Sequence, residues 1–511
     1  MRNGLTRRLI LATLVVVVLA GASLYAWNMF NQPRNGVPEP SYWPTVSWRT
    51  TTPEAVGIDS TKLALGMQAI KDNGISIHSL LIIGEGEVLL NGHFYPYDGT
   101  TYHDMASCTK SVMTTLIGIA VDHGKLSLDD KVLSFFPDRT VANRDTRKEM
   151  VTVRHLASMS SGFSCIALPR EVTLDEMQAS VDWVQFALDR PMATDPGKRF
   201  LYDSLGMHLL SAILEEATGM TSLEFARQNL FGPLGISKVY WPSDPQGHTR
   251  GWGDLSLYPA DSAKIGFLFL HGGRWDGRQI VSSSWVTAAT SRQIHPGGDY
   301  GEDYGYGWWI SAVGDEPAYF QAEGRQTQRI LVVPSMNLVL VETGAGFNTD
   351  DVNSYIEASI VDLQKPLQAN PAGVAELEAV LAKCAEKPAA QAVPPLPSTA
   401  FGVSGKTFVF DDGVIRSVRL DFDGSSAATY YLDVRHEDEI RVGGAGLDGV
   451  WRPSLSAKPA IARGSWTDDQ TFTLEYYEGP GLNYYKFVLR FDGDLVTLSA
   501  AGLGTMEGRL P

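Results

Sequence analysis

Apolar and polar positions divide the chain into a long apolar run, a tether, a region mixing helix and strand periods, and a region of strand period alone. Residues Leu9 to Trp27 carry no charge, and the next charge is Arg34. A run of that length can cross a bilayer as a helix. Arg2, Arg7 and Arg8 precede it, which predicts that this end stays cytoplasmic. Residues 1–30 are therefore expected to be a membrane anchor, because the run exceeds a usual signal core and ends in the interfacial residues Tyr25, Trp27 and Phe30. A cleaved signal peptide is the alternative, with Ala20-Gly21-Ala22 as its small-residue site. Either reading exports the rest: a cell-envelope protein, tethered to the inner membrane, with its globular part periplasmic or extracellular. Residues 31–50, with four prolines between Asn31 and Trp48, predict an extended linker.

From residue 51 to 365 the periods alternate. Two β-rich runs, Ser79–Ile83 and Val88–Leu90, flank Gly84-Glu85-Gly86 and predict a hairpin. A buried helix follows from Ser107 to Val121, with Gly124 at its C-terminal stop. Helices are expected over Val153–Ser158, Leu174–Leu188, Leu205–Thr218 and Pro259–Leu270. Strands are expected over Tyr304–Ile310, Arg329–Val333 and Leu338–Glu342. Strands at both ends of a helical middle predict an α+β fold, the terminal strands joined in one antiparallel sheet. Residues 366–400 are rich in Ala and Pro, with one helical stretch near Val374–Ala385, and predict a linker. Residues 401–511 show short β runs separated by Asp-Gly turns, such as Asp412-Gly413 and Asp492-Gly493, and predict an antiparallel barrel or sandwich.

Composition narrows the classes. The 511 residues are 44% apolar with a net charge of −16, which suits a large globular core and argues against nucleic acid as a partner. Cys108, Cys165 and Cys384 are too few for a disulfide scaffold. A Cys108–Cys165 bridge is less expected than isolated buried thiols. The histidines are scattered, and His436-Glu437 lacks a second histidine at metalloprotease spacing, so no metal and no cofactor are expected. No Gly-x-Ser-x-Gly elbow occurs, which disfavours an α/β-hydrolase triad.

The candidate chemistry lies at Ser107-Cys108-Thr109-Lys110. Residues three apart share a helix face, so the Lys110 amine can reach the Ser107 hydroxyl and, when neutral, deprotonate it. Two residues at fixed spacing arise by chance roughly once in a chain this long; a second and a third element are needed. Tyr202-Asp203-Ser204 places a tyrosine at a loop-to-helix boundary, and Ala322-Glu323-Gly324-Arg325 enters a strand with a glycine that lets a substrate lie close. Of the neighbouring aromatics Tyr102, Trp252, Tyr304, Tyr306 and Trp308, only Trp252, in a glycine-rich loop, is expected to touch substrate.

In their order and spacing, these elements resemble the serine β-lactamase-related family: class C β-lactamases, D,D-peptidases, carboxylesterases and 6-aminohexanoate-dimer hydrolases. The resemblance runs from about Pro53 to Leu363. It implies a β-lactamase-like antiparallel sheet flanked by helices, with Ser107 as acylated nucleophile, Lys110 as its base and Tyr202 as proton carrier. It further implies an oxyanion hole from the N–H groups of Ser107 and Arg325, and substrate contacts at Ser204 and Gly324. Two departures matter. Ala322-Glu323-Gly324 replaces the family's Lys-Thr-Gly, so the cation that holds a substrate carboxylate is gone, and Arg325 is the one candidate replacement. Ser204 stands where an asparagine is usual. The expectation is an esterase or amidase acting on a small-molecule or peptide-like substrate, with a cell-wall D,D-peptidase or β-lactamase, or a silent penicillin-binding scaffold, as rivals.

Overall fold

The computed structural model describes residues 37–511, apart from 168–169, 298–300, 314–315, 364, 436, 438, 457 and 479–482. The anchor expected over residues 1–30 lies outside them. Among the described residues no helix is long and apolar enough to cross a membrane.

Seven antiparallel strands form the catalytic sheet, in the order Glu87–His93, Ile77–Gly84, Leu338–Gly344, Gln328–Val333, Glu316–Gly324, Trp309–Val313 and Asp303–Tyr304. Ile77–Gly84 and Leu338–Gly344 pair as the second and third strands, Leu80 opposite Glu342, so the terminal strands do share one sheet. Side chains alternate across a strand, and both faces here are covered. Leu81 and Ile83 enter one core, while Leu80 and Ile82 enter another. The first core holds the helices Cys108–Asp122, Ser204–Thr218 and Pro259–Leu270. Cys108–Asp122 is buried on all sides and central, each fully buried Leu or Ile contributing about 1.5–3 kcal/mol, and its buried polar residues Thr109, Lys110, Ser111, Thr114 and Thr115 find hydrogen-bond partners. Gly266 lets Pro259–Leu270 lie on the sheet: a Cβ there would stand 2.7 Å from Val339 and 2.9 Å from Ile330.

The second core lies under Ser60–Asp72, Thr349–Ser359 and Pro371–Cys384. The last is the helical stretch expected near Val374–Ala385 within the 366–400 linker, and it does not stand apart as a tether: Leu377, Val380 and Cys384 bury in this core. The helix expected over Leu174–Leu188 is two, Val172–Gln178 and Trp183–Asp189. Asp182 breaks it by accepting the Gln185 N–H at 2.8 Å as a new N-cap. All three cysteines are free thiols.

Beyond residue 400 the strands close into a barrel. Nine run as a meander from Thr407–Phe410 to Gly504–Arg509, with the short Arg452–Pro453 hung on one of them. An odd number of strands in a ring leaves one parallel contact, and Gly446 opposite Arg463 is that closure. Phe408, Tyr430, Phe472, Leu489 and Phe491 fill the interior. The barrel rests on the catalytic domain, where the Trp451 N–H donates to the Tyr95 hydroxyl at 3.0 Å.

Candidate active site

Ser107 caps the helix Cys108–Asp122, and the turn before it is held open by its neighbours. Ala106 sits at φ +46°, a left-handed conformation costly for a residue with a Cβ. Its N–H donates to Asp104 Oδ1 at 2.7 Å. Asp104 is fixed in turn by the short ladder that His103–Asp104 makes with Ser256–Leu257.

Lys110 Nζ donates to Ser107 Oγ at 2.8 Å and to the Trp252 carbonyl at 2.8 Å, and lies 4.8 Å from the centre of the Tyr202 ring. The three expected catalytic side chains are therefore together. Burial, opposed by the Glu171 carboxylate and aided by Arg325, lowers the Lys110 pKa to about 8. An amine with that pKa is available in neutral form near physiological pH. Tyr202 stacks on Trp309, ring centres 6.4 Å apart and planes 10° from parallel.

Gly324 ends its strand against the nucleophile. A Cβ there would meet Met105 O at 2.6 Å, Ala106 Cβ at 2.9 Å and the Ser107 nitrogen at 3.0 Å. The approach is to the turn that carries the nucleophile rather than to a substrate, and it brings the Arg325 backbone to the N-terminus of the Ser107 helix, where partial positive charge gathers. The Arg325 guanidinium lies 4.0 Å from Asp104 Oδ2, and Asp254, Glu171 and Glu478 also act on it. Its charge is already balanced. Glu323 is open to water yet sunk between protein walls, and burial first, Glu302 second, push its pKa up to about 7.

Ser204 is buried and donates to the Glu171 carboxylate, and Asp203 caps the helix it precedes, accepting from Gly206 N–H at 3.0 Å and Ser161 Oγ at 2.9 Å. Trp252 lines the cleft but is 4% exposed, its ring packed beside Trp183 and His208, and its carbonyl accepts from Lys110. Tyr304, Tyr306 and Trp308 are core residues. Tyr102 packs on Tyr258. The sequence reading did not identify Asp104, Glu171 or Trp309. Asp104 carried a local signal, an aspartate placed to accept an N–H two residues on; the other two did not. Among the described residues no cluster of three His, Cys, Asp or Glu side chains is arranged for a metal ion.

The site opens into a cleft of about 1160 Å³ that both domains line. The catalytic domain supplies Ser107, Tyr202, Trp309 and the Glu323–Arg325 edge, and the barrel supplies Arg441, Lys458, Glu478 and Tyr485.

Comparison with known proteins agrees with this geometry. A protein of Alkalihalophilus pseudofirmus is 24% identical over 291 residues, covering 51% of this chain and 78% of that one. Esterase EstB of Burkholderia gladioli is 26% identical over 210 residues, 36% of this chain and 53% of the esterase, so the chain spans about half of that relative. A solved structure described as a 6-aminohexanoate-dimer hydrolase from Bacillus anthracis superposes with a TM-score of 0.53 at 16% identity, covering 68% of this chain and 95% of that one, a likeness of fold. The Beta-lactamase family model matches residues 68–353, more than half of the sequence and every catalytic element above, and the chain belongs to that family.

Proposed function

We propose that this serine hydrolase cleaves an ester or amide through an acyl-enzyme on Ser107. The observation that carries the reading is the Lys110 ammonium nitrogen 2.8 Å from Ser107 Oγ, held from behind by the Trp252 carbonyl. Neutral Lys110 takes the Ser107 proton as Oγ bonds to the carbonyl carbon, and the N–H groups of Ser107 and Arg325 stabilise the oxyanion. Tyr202, beside the lysine, passes a proton to the leaving alcohol or amine as its bond to carbon breaks. Water then attacks the acyl-enzyme by the reverse relay, releasing an acid and restoring Ser107 Oγ–H.

The cleft supports an esterase or amidase over a β-lactamase or D,D-peptidase. Ala322 stands where the family's carboxylate-binding lysine would be, and the nearest strand cation, Arg325, already lies 4.0 Å from Asp104 with Asp254, Glu171 and Glu478 also acting on it. A substrate carboxylate placed there meets Glu323 and Asp104 beside Arg325 rather than a dedicated lysine. The name of the related EstB is consistent with this preference. The apolar run from Leu9 to Trp27 after three arginines supports an exported, membrane-tethered enzyme; protection of the catalytic domain from protease added outside spheroplasts would overturn that location.

The decisive experiment is active-site labelling. A fluorophosphonate should label the wild type and not Ser107→Ala, and a fluorescent penicillin should label neither. Equal labelling of Ser107→Ala would overturn the assignment.

A further inference from the structure

The barrel's face toward Ser107 is built from charge. Arg441, at the start of its strand, donates to Glu437 at 2.6 and 2.8 Å and to Glu478 at 3.2 Å. Lys458 donates to Glu437 at 2.8 Å and also pairs with Glu478. The result is a closed ring of two cations and two carboxylates. Burial opposes ionisation of Glu478, but Lys458 and Arg441 outweigh it and hold that carboxyl down at about 2, and, against burial again, the same two cations lower the pKa of Glu437.

The ring faces the catalytic charges across the cleft. Glu478 acts on Arg325, and Lys458 acts on Asp254, which Arg250 also holds at 2.6 Å. Each wall thus lines the cleft that holds Ser107 with paired charges. A polar group entering there exchanges water for donors and acceptors. An alkyl chain displaces the same water and offers nothing in return, so its burial is penalised. The barrel also closes one side of the cleft, whose volume of about 1160 Å³ leaves polarity rather than size to rank the substrates.

We propose that the C-terminal barrel is the second half of the substrate site, its Arg441–Lys458–Glu437–Glu478 ring forming a polar wall that selects small polar esters and amides over long-chain acyl esters. This rests on Ser107 being the acylated nucleophile. The wall binds the part of the substrate that does not react, and so acts through KM and through the ranking of substrates.

The test uses p-nitrophenyl esters of acetate, pentanoate, N-acetylglycine and decanoate with the full chain. The pentanoyl and N-acetylglycyl groups match in length and differ in polarity. Wild type should turn over the N-acetylglycyl ester best and the decanoyl ester worst. Lys458→Met should lower the N-acetylglycyl to pentanoyl ratio of kcat/KM about tenfold, mainly through KM, as expected when one polar partner is lost. Should Lys458→Met fail to fold, Ile440→Trp decides. Ile440 lines the same wall and is 51% exposed, so a larger side chain there has room, and the apolar indole should depress the N-acetylglycyl ester more than the pentanoyl ester of equal length. A preference for decanoate in the wild type, or unchanged ratios in folded Lys458→Met or in Ile440→Trp, overturns the polar wall. Absence of any turnover that depends on Ser107 overturns instead the hydrolase reading beneath it, and the wall with it.

Discussion

Asp104 Oδ1 accepts the N–H of Ala106 at 2.7 Å while Oδ2 stands 4.0 Å from the Arg325 guanidinium. One carboxylate thus fixes the strained turn that presents Ser107 and steadies the strand end proposed to supply the second oxyanion donor. Burial first, then Asp254, raises its pKa to about 7 against the opposing pull of Arg325, with Glu478 adding to the rise.

Asp104→Asn keeps an oxygen for the Ala106 N–H and removes the charge that holds Arg325. At pH 8 kcat should fall about tenfold, less than the 10²–10³ typical of deleting an oxyanion donor outright. Below pH 7 the gap should narrow, since the wild-type carboxyl is then protonated. Stability should move the other way. A carboxyl whose folded pKa is raised contributes stability fully present below its unfolded value near 3.8 and lost as pH rises through 7. The variant should therefore melt above wild type at pH 8 and close to it at pH 4, measured by thermal denaturation.

Gly324→Ala should abolish turnover without unfolding the chain. The new methyl would crowd Met105 O and the Ser107 nitrogen at 2.6 and 3.0 Å, both backbone atoms that cannot swing aside. Displacing the oxyanion hole should cost about 10²–10³ in kcat. Steady-state kinetics beside circular dichroism checks it, and full activity in the variant would remove Gly324 from the site.

Trp252 separates a ring from a carbonyl. Trp252→Phe leaves the backbone oxygen that Lys110 uses, so kcat should stay within about threefold, while the void among Trp183 and His208 should cost about 1–3 kcal/mol of stability. Denaturant unfolding together with kcat distinguishes this from a substrate-contacting ring, whose loss would raise KM and leave stability nearly unchanged.

How much of this was legible depended on how local each cause is. Pro259–Leu270 was read with its final bounds because a proline at the first turn and an apolar stripe are both sequence signals. Ser107 and Lys110 met because a helix turn brings them together. Ser60–Asp72 was obscured by Gly66 in its middle, a poor helix former. The glycine is there because a Cβ would stand 2.8 Å from Tyr355 Cβ, on a helix nearly 300 residues later. Glu171 reaches Ser204, and Asp104 reaches Arg325, only through packing of distant elements. The contribution of Trp252 is a carbonyl, a group every residue carries, so no residue pattern could announce it.

The Lys110 pKa near 8 makes the pH profile a direct readout of its surroundings. A lysine base works only when neutral, so kcat/KM should rise with pH through about 8, and Lys110→Ala should lose about 10²–10⁴ in rate together with that limb. Glu171 favours the ammonium, so Glu171→Gln should move the limb to lower pH. Arg325 disfavours it, so Arg325→Met, which retains the backbone N–H, should move the limb to higher pH. Ser204→Ala frees the Glu171 carboxylate from its hydrogen bond and should alter the limb only while Glu171 is present. Opposite displacements in Glu171→Gln and Arg325→Met, measured on one ester across pH 5 to 10, together with loss of the limb in Lys110→Ala, would identify Lys110 as the titrating base. A limb that stays put in both variants would assign it to a group these charges do not reach, with Glu323, whose charged neighbours are Glu302, Arg329 and Glu342, as the next to test.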